Sequence, residues 1–218
     1  MDDKKFCFII CTEREIFYRE CAYYISYLRI PEGYRAEILP IRDAKSMAAG
    51  YNLGMGATDA KYKIYLHQDC FILNPNFLND LLTVFSMDER IAMVGMQGVQ
   101  HISPDAVEWN VAPVGRLYEE SQGMVDYESY AFQPSDGVTD CDYVRGFLIA
   151  TAQDLPWRED LFDGWNFYDA SQGFEFRKAG WRVVVPGQRL PWCAHDETIL
   201  NLWTYDKYRR IFIREYLQ

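Results

Sequence analysis

Short apolar runs alternate with amphipathic segments over the first hundred residues, and this alternation limits the possible folds more than any other feature. Four runs of strand length are each preceded or followed by a polar turn, and they cover residues 6–11, 36–41, 62–66 and 91–96. Strands that alternate with helices pair in parallel through right-handed crossovers. The sequence therefore predicts an α/β fold with a mostly parallel central sheet flanked by helices.

The helices and the later strands follow from the same spacing. Thr12 is expected to cap the first helix with Glu15 three residues on, and this helix should continue to about Leu28. The other predicted helices cover residues 43–51, 75–85, 171–178 and 199–217. Strands are predicted at residues 141–151 and 181–185. The C-terminal helix is amphipathic and aromatic, so it should pack on the body of the protein or on a partner subunit.

Residues 97–140 interrupt this regularity with scattered Gly, Pro, Ser, Tyr and acidic residues. A structureless loop of that length is rare inside a compact domain. We therefore expect this stretch to form short strands and a mobile flap over the ligand-binding site. The stretch would be an insertion in a single domain of residues 1–218. A chain of 218 residues with 49% hydrophobic content is sufficient for one such core.

The overall charge and the cysteine content narrow the class of protein. A net charge of -10 argues against a nucleic-acid or anionic-membrane surface, although a local cationic pocket for phosphate remains compatible with it. No run of 18 apolar residues occurs, and the first five residues lack the layout of a secretion signal, so we expect no membrane span and a cytoplasmic location. The six cysteines contain no Cys-x-x-Cys pair, so neither a zinc site nor a disulfide framework is expected.

A His-x-Asp triplet ends the third apolar run. In an open α/β sheet, ligands bind at the carboxyl ends of the strands, where His67 and Asp69 are predicted to lie. An imidazole and a carboxylate two residues apart can converge on one cation. His195 follows the last predicted strand beside Asp196, so two of the three histidines stand next to an acid, as in a metal site. The structural alternative is that these side chains cap a helix or hydrogen-bond a loop.

Residues 156–169 mix aromatic and acidic side chains in a pattern that suits neither a helix nor a strand. Aromatic faces that stack on sugar rings and carboxylates that bind hydroxyls would make this segment a site wall, and an aromatic-rich core loop is the alternative. Asp169 falls at or just before the start of the fourth helix. As a cap it would contribute about 1 kcal/mol to the free energy of unfolding, and as a catalyst it would accept a proton from an alcohol.

In their order, these segments resemble the GT-A-fold, family-2-type glycosyltransferases, and within them the streptomycin-biosynthesis-type glycosyltransferase-like domain. The matching segments span nearly the whole chain: Cys11-Thr12-Glu13-Arg14, Tyr51-Asn52-Leu53-Gly54, Leu66-His67-Gln68-Asp69, and Phe162-Asp163-Gly164-Trp165 through Tyr168-Asp169 to Arg177-Lys178-Ala179-Gly180-Trp181. The resemblance implies an inverting, hexosyltransferase-like enzyme. Such an enzyme holds the diphosphate of a nucleotide-sugar donor with Mn²⁺ or Mg²⁺ and moves the sugar to an acceptor hydroxyl.

The resemblance also implies roles for individual residues. Asp69 matches the last Asp of the Asp-x-Asp metal motif, His67 takes the place of the first, and His195 matches a later metal-ligating His. Asp169 matches the general base, and Ser171 stands where relatives carry a second acid. Contacts to the nucleotide or its metal are implied for Thr12, Glu13, Asp43, Asn52 and Asp69.

Several departures leave other functions open. Arg145-Gly146 stands where relatives carry Asp-Gly, so recognition of the sugar or the acceptor is expected to differ. The acids missing at His67 and Ser171 leave open a module that binds a nucleotide-sugar or a partner without catalysis. A nucleotidyltransferase on a related fold is a third hypothesis, but the first strand is not followed by a Gly-rich phosphate loop that carries Arg or Lys.

Overall fold

Two β-sheets and five α-helices make up the described part of the chain, which in this computed structural model comprises residues 1–121, 124–130, 137–196 and 202–218. The strands are β1 (Asp2–Thr12), β2 (Arg35–Arg42), β3 (Ala60–His67), β4 (Cys70–Ile72), β5 (Ile91–Gly95), β6 (Gln97–Val99), β7 (Val114–Ser121), β8 (Met124–Tyr130), β9 (Val138–Asp140), β10 (Tyr143–Val144), β11 (Leu148–Thr151), β12 (Arg182–Pro186) and β13 (Cys193–His195). The α-helices are α1 (Glu15–Ser26), α2 (Met47–Gly56), α3 (Phe77–Met87), α4 (Tyr168–Lys178) and α5 (Tyr205–Phe212). A short 3₁₀ helix covers Glu108–Asn110, and a π-helical turn covers Ile213–Leu217.

The larger sheet has the strand order β2-β1-β3-β11-β5-β12-β9. Strands β2, β1, β3, β5 and β12 run in one direction, whereas β11 and β9 run against them. The predicted α/β architecture with a mostly parallel central sheet is therefore confirmed.

From Phe6 to Cys11, strand β1 is buried on both faces, which explains why this part of its sequence is a continuous apolar run. Its alternate side chains enter two core regions: Phe6, Phe8 and Ile10 enter one, and Cys7, Ile9 and Cys11 enter the other. Helices α1 and α3 cover the first region, and α2, α4 and α5 cover the second. Helix α2 lies so close to β1 that a Cβ on Gly54 would collide with the side chain of Ile9.

The smaller sheet has the order β10-β6-β7-β13-β4, with β8 paired to β7. Half of its strands, β6, β7 and β8, come from the stretch that lacked regular spacing, so the short strands predicted there are present. The parts of the predicted flap at residues 122–123 and 131–136 lie outside the described residues. This sheet positions the site, because β13 pairs antiparallel with β4, the strand that directly follows the His-x-Asp triplet.

Some helix boundaries differ from the prediction. Thr12 does not cap α1, because Thr12 is the last residue of β1 and its hydroxyl donates a hydrogen bond to Oε1 of Gln68 at 2.8 Å. Helix α2 begins four residues later than predicted, at Met47, where the Ser46 hydroxyl accepts a hydrogen bond from the Ala49 N–H.

The C-terminal helix is shorter than predicted: α5 begins at Tyr205, and residues 197–201 lie outside the described part. Tyr208 and Phe212 are buried, and the Phe212 ring lies 5.3 Å from that of Phe167. The helix thus packs on the body of the protein. No helix in the described ranges is long and apolar enough to cross a membrane.

Candidate metal and sugar-transfer site

Strand pairing brings the three predicted metal ligands together. His67 is the last residue of β3, and Asp69 lies in the tight turn that leads into β4. His195 is the last residue of β13 and pairs in register with Cys70 at the start of β4. The Asp196 N–H also donates a hydrogen bond to the Asp69 carbonyl at 3.0 Å, which fixes the end of β13 beside the turn.

The three side chains fit a divalent cation. Asp69 Oδ1 lies 3.5 Å from His195 Nε2 and 3.9 Å from His67 Nδ1, and the ligand atoms of all three residues lie within 4.8 Å of one another. Asp69 Oδ1 is buried, yet it accepts no hydrogen bond from any described residue. A buried, unpaired carboxylate oxygen between two imidazoles is the donor set that a first-row divalent metal uses.

The charge states of these side chains also suit metal binding. Burial, followed by the proximity of His195, lowers the pKa of His67 to about 4, so this imidazole is neutral at pH 7 and has a free lone pair. Burial alone would raise the pKa of Asp69, but the interactions with His195 and His67 outweigh it and hold that pKa below its ordinary value. The site therefore presents an ionised carboxylate and a neutral imidazole at neutral pH.

Tyr168 orients the His67 ring. Its hydroxyl oxygen lies 2.6 Å from His67 Nε2, while Nδ1 of the same ring faces Asp69. A His67 that binds a cation through Nδ1 must carry its proton on Nε2 and donate it to the Tyr168 oxygen. Burial raises the pKa of Tyr168 well above its ordinary value, so the phenol remains neutral. A Cβ on Gly146 would collide with the Tyr168 hydroxyl, so glycine is required there.

Removal of the Tyr168 hydroxyl should weaken metal binding. We expect Tyr168→Phe to lower the Mn²⁺ affinity by about 10-fold or more, the usual effect of losing a partner of a metal-ligating His. Titration calorimetry with Mn²⁺ measures this change directly. Tyr51→Phe is a matched control, because Tyr51 is a buried neighbour, 6.0 Å from Tyr168 between ring centres, whose hydroxyl has no hydrogen-bond partner in the described structure. Equal Mn²⁺ affinities of the two variants would show that Tyr168 does not orient His67.

A cavity of about 440 Å³ opens on one side of this cluster. Its lining includes three of the predicted nucleotide contacts, Thr12, Glu13 and Asp43, together with His67 and Asp69. This cavity is hereafter called the donor-side cavity.

Gln68, which also lines the donor-side cavity, holds the loop between β1 and α1. Its Oε1 accepts hydrogen bonds from the Thr12 hydroxyl and from the N–H groups of Glu13 and Arg14 at 2.8, 3.3 and 3.1 Å. The position of the two predicted contacts in this loop therefore depends on the residue between His67 and Asp69.

Asn52 does not reach the donor-side cavity, and the nucleotide contact implied for it is not supported by its position. Its side-chain amide binds the backbone of Trp157 twice, donating to the carbonyl at 2.9 Å and accepting from the N–H at 2.8 Å. The side chain therefore fastens α2 to the aromatic segment that precedes α4.

A second cavity, of about 280 Å³, lies on the other side of His67 and Tyr168 and shares these two residues and Trp165 with the first. It is hereafter called the Asp169 cavity. Asp169 Oδ2 accepts a hydrogen bond from the Gly146 N–H and Oδ1 accepts one from the Ala170 N–H, both at 2.9 Å. Burial raises the pKa of Asp169, and these two hydrogen bonds oppose the rise. Asp169 is the second residue of α4, not its cap, and it binds the N–H of the next residue and that of Gly146 between β10 and β11 while it lines a cavity.

The aromatic and acidic segment proves to be both core loop and site wall. Trp157, Phe162 and Phe167 are buried in the core, whereas Trp165 is 49% exposed and lines both cavities. Asp163 points away from both, because it binds the Tyr208 hydroxyl at 2.7 Å and Lys207 at 3.0 Å.

Comparisons with known proteins identify the family and the fold of the chain. The sequence profile described as "Glycosyltransferase like family" matches residues 7–216, so the chain belongs to that family. No curated protein matches the sequence.

Solved structures with a similar fold include three transferases. S. aureus TarS in complex with UDP has a TM-score of 0.54 at 9% identity, covering 95% of this chain and 64% of that one. GalNAc-T7 with UDP, GalNAc and Mn²⁺ has a TM-score of 0.63 at 11% identity, covering 97% and 48%. The mannosyltransferase PcManGT of Pyrobaculum calidifontis with GDP-Man and Mn²⁺ has a TM-score of 0.58 at 12% identity, covering 95% and 60%. The chain thus has the GT-A fold and spans about half to two thirds of these structures.

Proposed function

We propose that this protein transfers a sugar from a nucleotide-diphosphate donor to an acceptor hydroxyl, with inversion at the sugar carbon and with a divalent metal ion. The observation that carries the proposal is that the donor-side cavity and the Asp169 cavity meet at the metal-ligand cluster. One cavity therefore offers a metal site, and the other offers a carboxylate beside it. The narrower assignment to the streptomycin-biosynthesis type, and the single domain of residues 1–218, are also proposals.

The donor-side cavity would hold the nucleotide. His67, Asp69 and His195 would bind the metal ion, which supplies positive charge against the departing diphosphate. Two imidazoles favour Mn²⁺ over Mg²⁺, because Mg²⁺ prefers oxygen ligands and retains its waters. Support comes from the structures of GalNAc-T7 and PcManGT, which contain Mn²⁺ with UDP and with GDP-Man.

Asp169 would act as the general base. It takes the proton from the acceptor hydroxyl while that oxygen attacks C1 of the sugar from the side opposite the diphosphate. The raised pKa of the Asp169 carboxyl makes it a stronger base than an exposed Asp, because basicity rises with pKa. Trp109 and Trp165, 63% and 49% exposed at the edge of the same cavity, offer ring faces on which an acceptor sugar can stack.

A thermal-shift screen tests the donor half of the proposal. We expect UDP or GDP to raise the melting temperature in the presence of Mn²⁺ and to lose most of that effect in EDTA. A ligand at 100 times its Kd adds about 2.7 kcal/mol to the free energy of unfolding, which is easily measured. Stabilisation by neither nucleotide, or equal stabilisation with EDTA, would contradict metal-dependent donor binding.

An activity assay then separates an enzyme from a binding module. With the nucleotide-sugar selected by the screen, transfer to an added acceptor or slow hydrolysis of the donor is expected. Tight, metal-dependent binding without transfer or hydrolysis would instead identify a non-catalytic nucleotide-sugar-binding protein.

A further inference from the structure

The guanidinium of Arg145 has no partner among the described residues. Arg145 lies between β10 and β11, and its backbone N–H donates a hydrogen bond to the Gln97 carbonyl at 2.8 Å, which fixes the main chain. Its side-chain Nε is buried and has no hydrogen-bond partner among the described residues. Buried cationic donors in proteins are normally paired, so this position calls for an anionic partner from outside the chain.

Arg145 is also the one Lys or Arg among the described residues that line the two cavities. Asp169 is near enough for the charge of Arg145 to lower its pKa, but its two oxygens already accept the N–H groups of Gly146 and Ala170. Glu108 and Glu119 line the same cavity. The charge of Arg145 thus acts on Asp169 at a distance, while its buried Nε has no hydrogen-bond partner among the described residues.

We propose that Arg145 selects a substrate with a carboxylate or phosphate group in addition to the donor diphosphate, carried by the transferred sugar or by the acceptor. This inference rests on the proposed function. A planar guanidinium donates two parallel hydrogen bonds to a carboxylate or a phosphate. The hydroxyls of a neutral sugar would leave the charge of the guanidinium unpaired.

The position of Arg145 separates this role from binding of the donor diphosphate. Arg145 lines the Asp169 cavity and is absent from the lining of the donor-side cavity. His67 and Tyr168 belong to the wall that both cavities share, with the metal-ligand cluster beside it. An anion on Arg145 is consequently close to the carboxylate that would deprotonate the acceptor, where an acidic group on the sugar or the acceptor would lie.

Two matched ligand pairs test the inference by calorimetry in Mn²⁺. The donor pair is UDP-glucuronic acid and UDP-glucose, or GDP-mannuronic acid and GDP-mannose if GDP is the nucleotide that binds. The acceptor pair is glucose 6-phosphate and glucose, added to protein saturated with the nucleoside diphosphate. Each pair is measured with the wild type, Arg145→Gln and Arg145→Lys. Arg19→Gln is the control for net charge, because Arg19 is an exposed residue that pairs with Glu15 on α1, outside the described lining of both cavities.

We expect the wild type to bind the anionic member of one pair at least about 10-fold more tightly than its neutral partner, and Arg145→Gln to abolish that preference. Arg145→Lys should retain part of it, and Arg19→Gln all of it. Preference within the donor pair identifies the sugar as the source of the anion, and preference within the acceptor pair identifies the acceptor. Affinity for the nucleoside diphosphate alone should be unchanged in Arg145→Gln.

Three results would overturn the inference. The first is equal affinity of the wild type for the anionic and the neutral member of both pairs, and the second is full retention of the preference by Arg145→Gln. The third is an Arg145→Gln variant that binds the nucleoside diphosphate as weakly, relative to the wild type, as it binds the anionic ligand. A wild-type protein that shows no Mn²⁺-dependent nucleotide binding would instead refute the proposed function. Unfolding of Arg145→Gln is not expected, because the Arg145 side chain has no described partner, and Arg145→Lys provides a second variant.

Discussion

Asp69→Ala is expected to abolish Mn²⁺-dependent binding of a nucleoside diphosphate. Asp69 is the one carboxylate of the three-residue cluster, and its Oδ1 lies between the two imidazoles. Without it, the two imidazoles remain, and they lack the negative charge that attracts a hard divalent ion such as Mn²⁺. We expect the Mn²⁺ affinity to fall by more than about 100-fold, which exceeds the usual effect of losing an outer hydrogen-bond partner. Titration calorimetry with Mn²⁺, and then with UDP or GDP, measures both losses.

Two further variants make this result specific. Asp163→Ala removes the same charge from an acid that binds Lys207 and Tyr208 outside both cavities, so its nucleotide affinity should match the wild type. His195→Ala should give an intermediate loss of Mn²⁺ affinity, because one imidazole and the carboxylate remain. Circular dichroism should show an intact fold, since Asp69 Oδ1 accepts no hydrogen bond from the described residues. Unchanged Mn²⁺ affinity in Asp69→Ala would remove Asp69 from the metal site.

The parallel strands of the central sheet were predictable because their burial is recorded directly in the sequence, whereas β9 was not individually predicted and the predicted strand at residues 141–151 divides into β10 and β11. From Phe6 to Cys11, β1 is buried on both faces and reads as an unbroken apolar run, so local information is sufficient there. The boundary of α1 was not predictable in the same way. Thr12 and Glu15 satisfy the local capping rule, but Gln68, 56 residues away in sequence from Thr12, binds the Thr12 hydroxyl instead. A cap predicted from sequence can be overridden by a tertiary contact of this kind.

The candidate site, like the fold, was predictable from the sequence only in part. His67, Asp69 and His195 could be proposed from sequence because each stands at the end of a strand or just after it, but their proximity depends on the pairing of β4 with β13, which no local pattern reveals. Tyr168 was not identified, because its role depends on a contact with His67 across 101 residues of sequence. Arg145 was visible only as an unusual residue in a motif, and its significance comes from the absence of a described partner in the folded chain.

Asp169→Asn should lower the rate of sugar transfer by about 100-fold or more while nucleotide-sugar affinity holds. An amide cannot accept the acceptor's proton at neutral pH, and general-base catalysis usually contributes at least that factor. The change is not neutral for the fold, because both oxygens of Asp169 accept backbone N–H groups and Asn retains only one acceptor. We expect a loss of about 1–2 kcal/mol in the free energy of unfolding, partly offset because Asn removes a buried charge. Steady-state kinetics and thermal unfolding measure the two effects separately.

The pH dependence gives this prediction its sign. The folded-state pKa of Asp169 is raised, so ionisation of Asp169 costs stability, and that cost disappears as the pH falls through the raised pKa. The difference in unfolding free energy between the wild type and Asp169→Asn should therefore be smallest near neutral pH, and it should grow as the pH is lowered. The wild-type transfer rate should fall in the same acidic range, because the base becomes protonated, and the residual rate of Asp169→Asn should lack that step. Asp163→Asn, which changes an acid outside both cavities, should keep the wild-type rate and profile. Wild-type turnover by Asp169→Asn would leave Asp169 with a structural role, as the acceptor of the Gly146 and Ala170 N–H groups, and direct the search for the base to Glu108 and Glu119, the other carboxylates that line the Asp169 cavity.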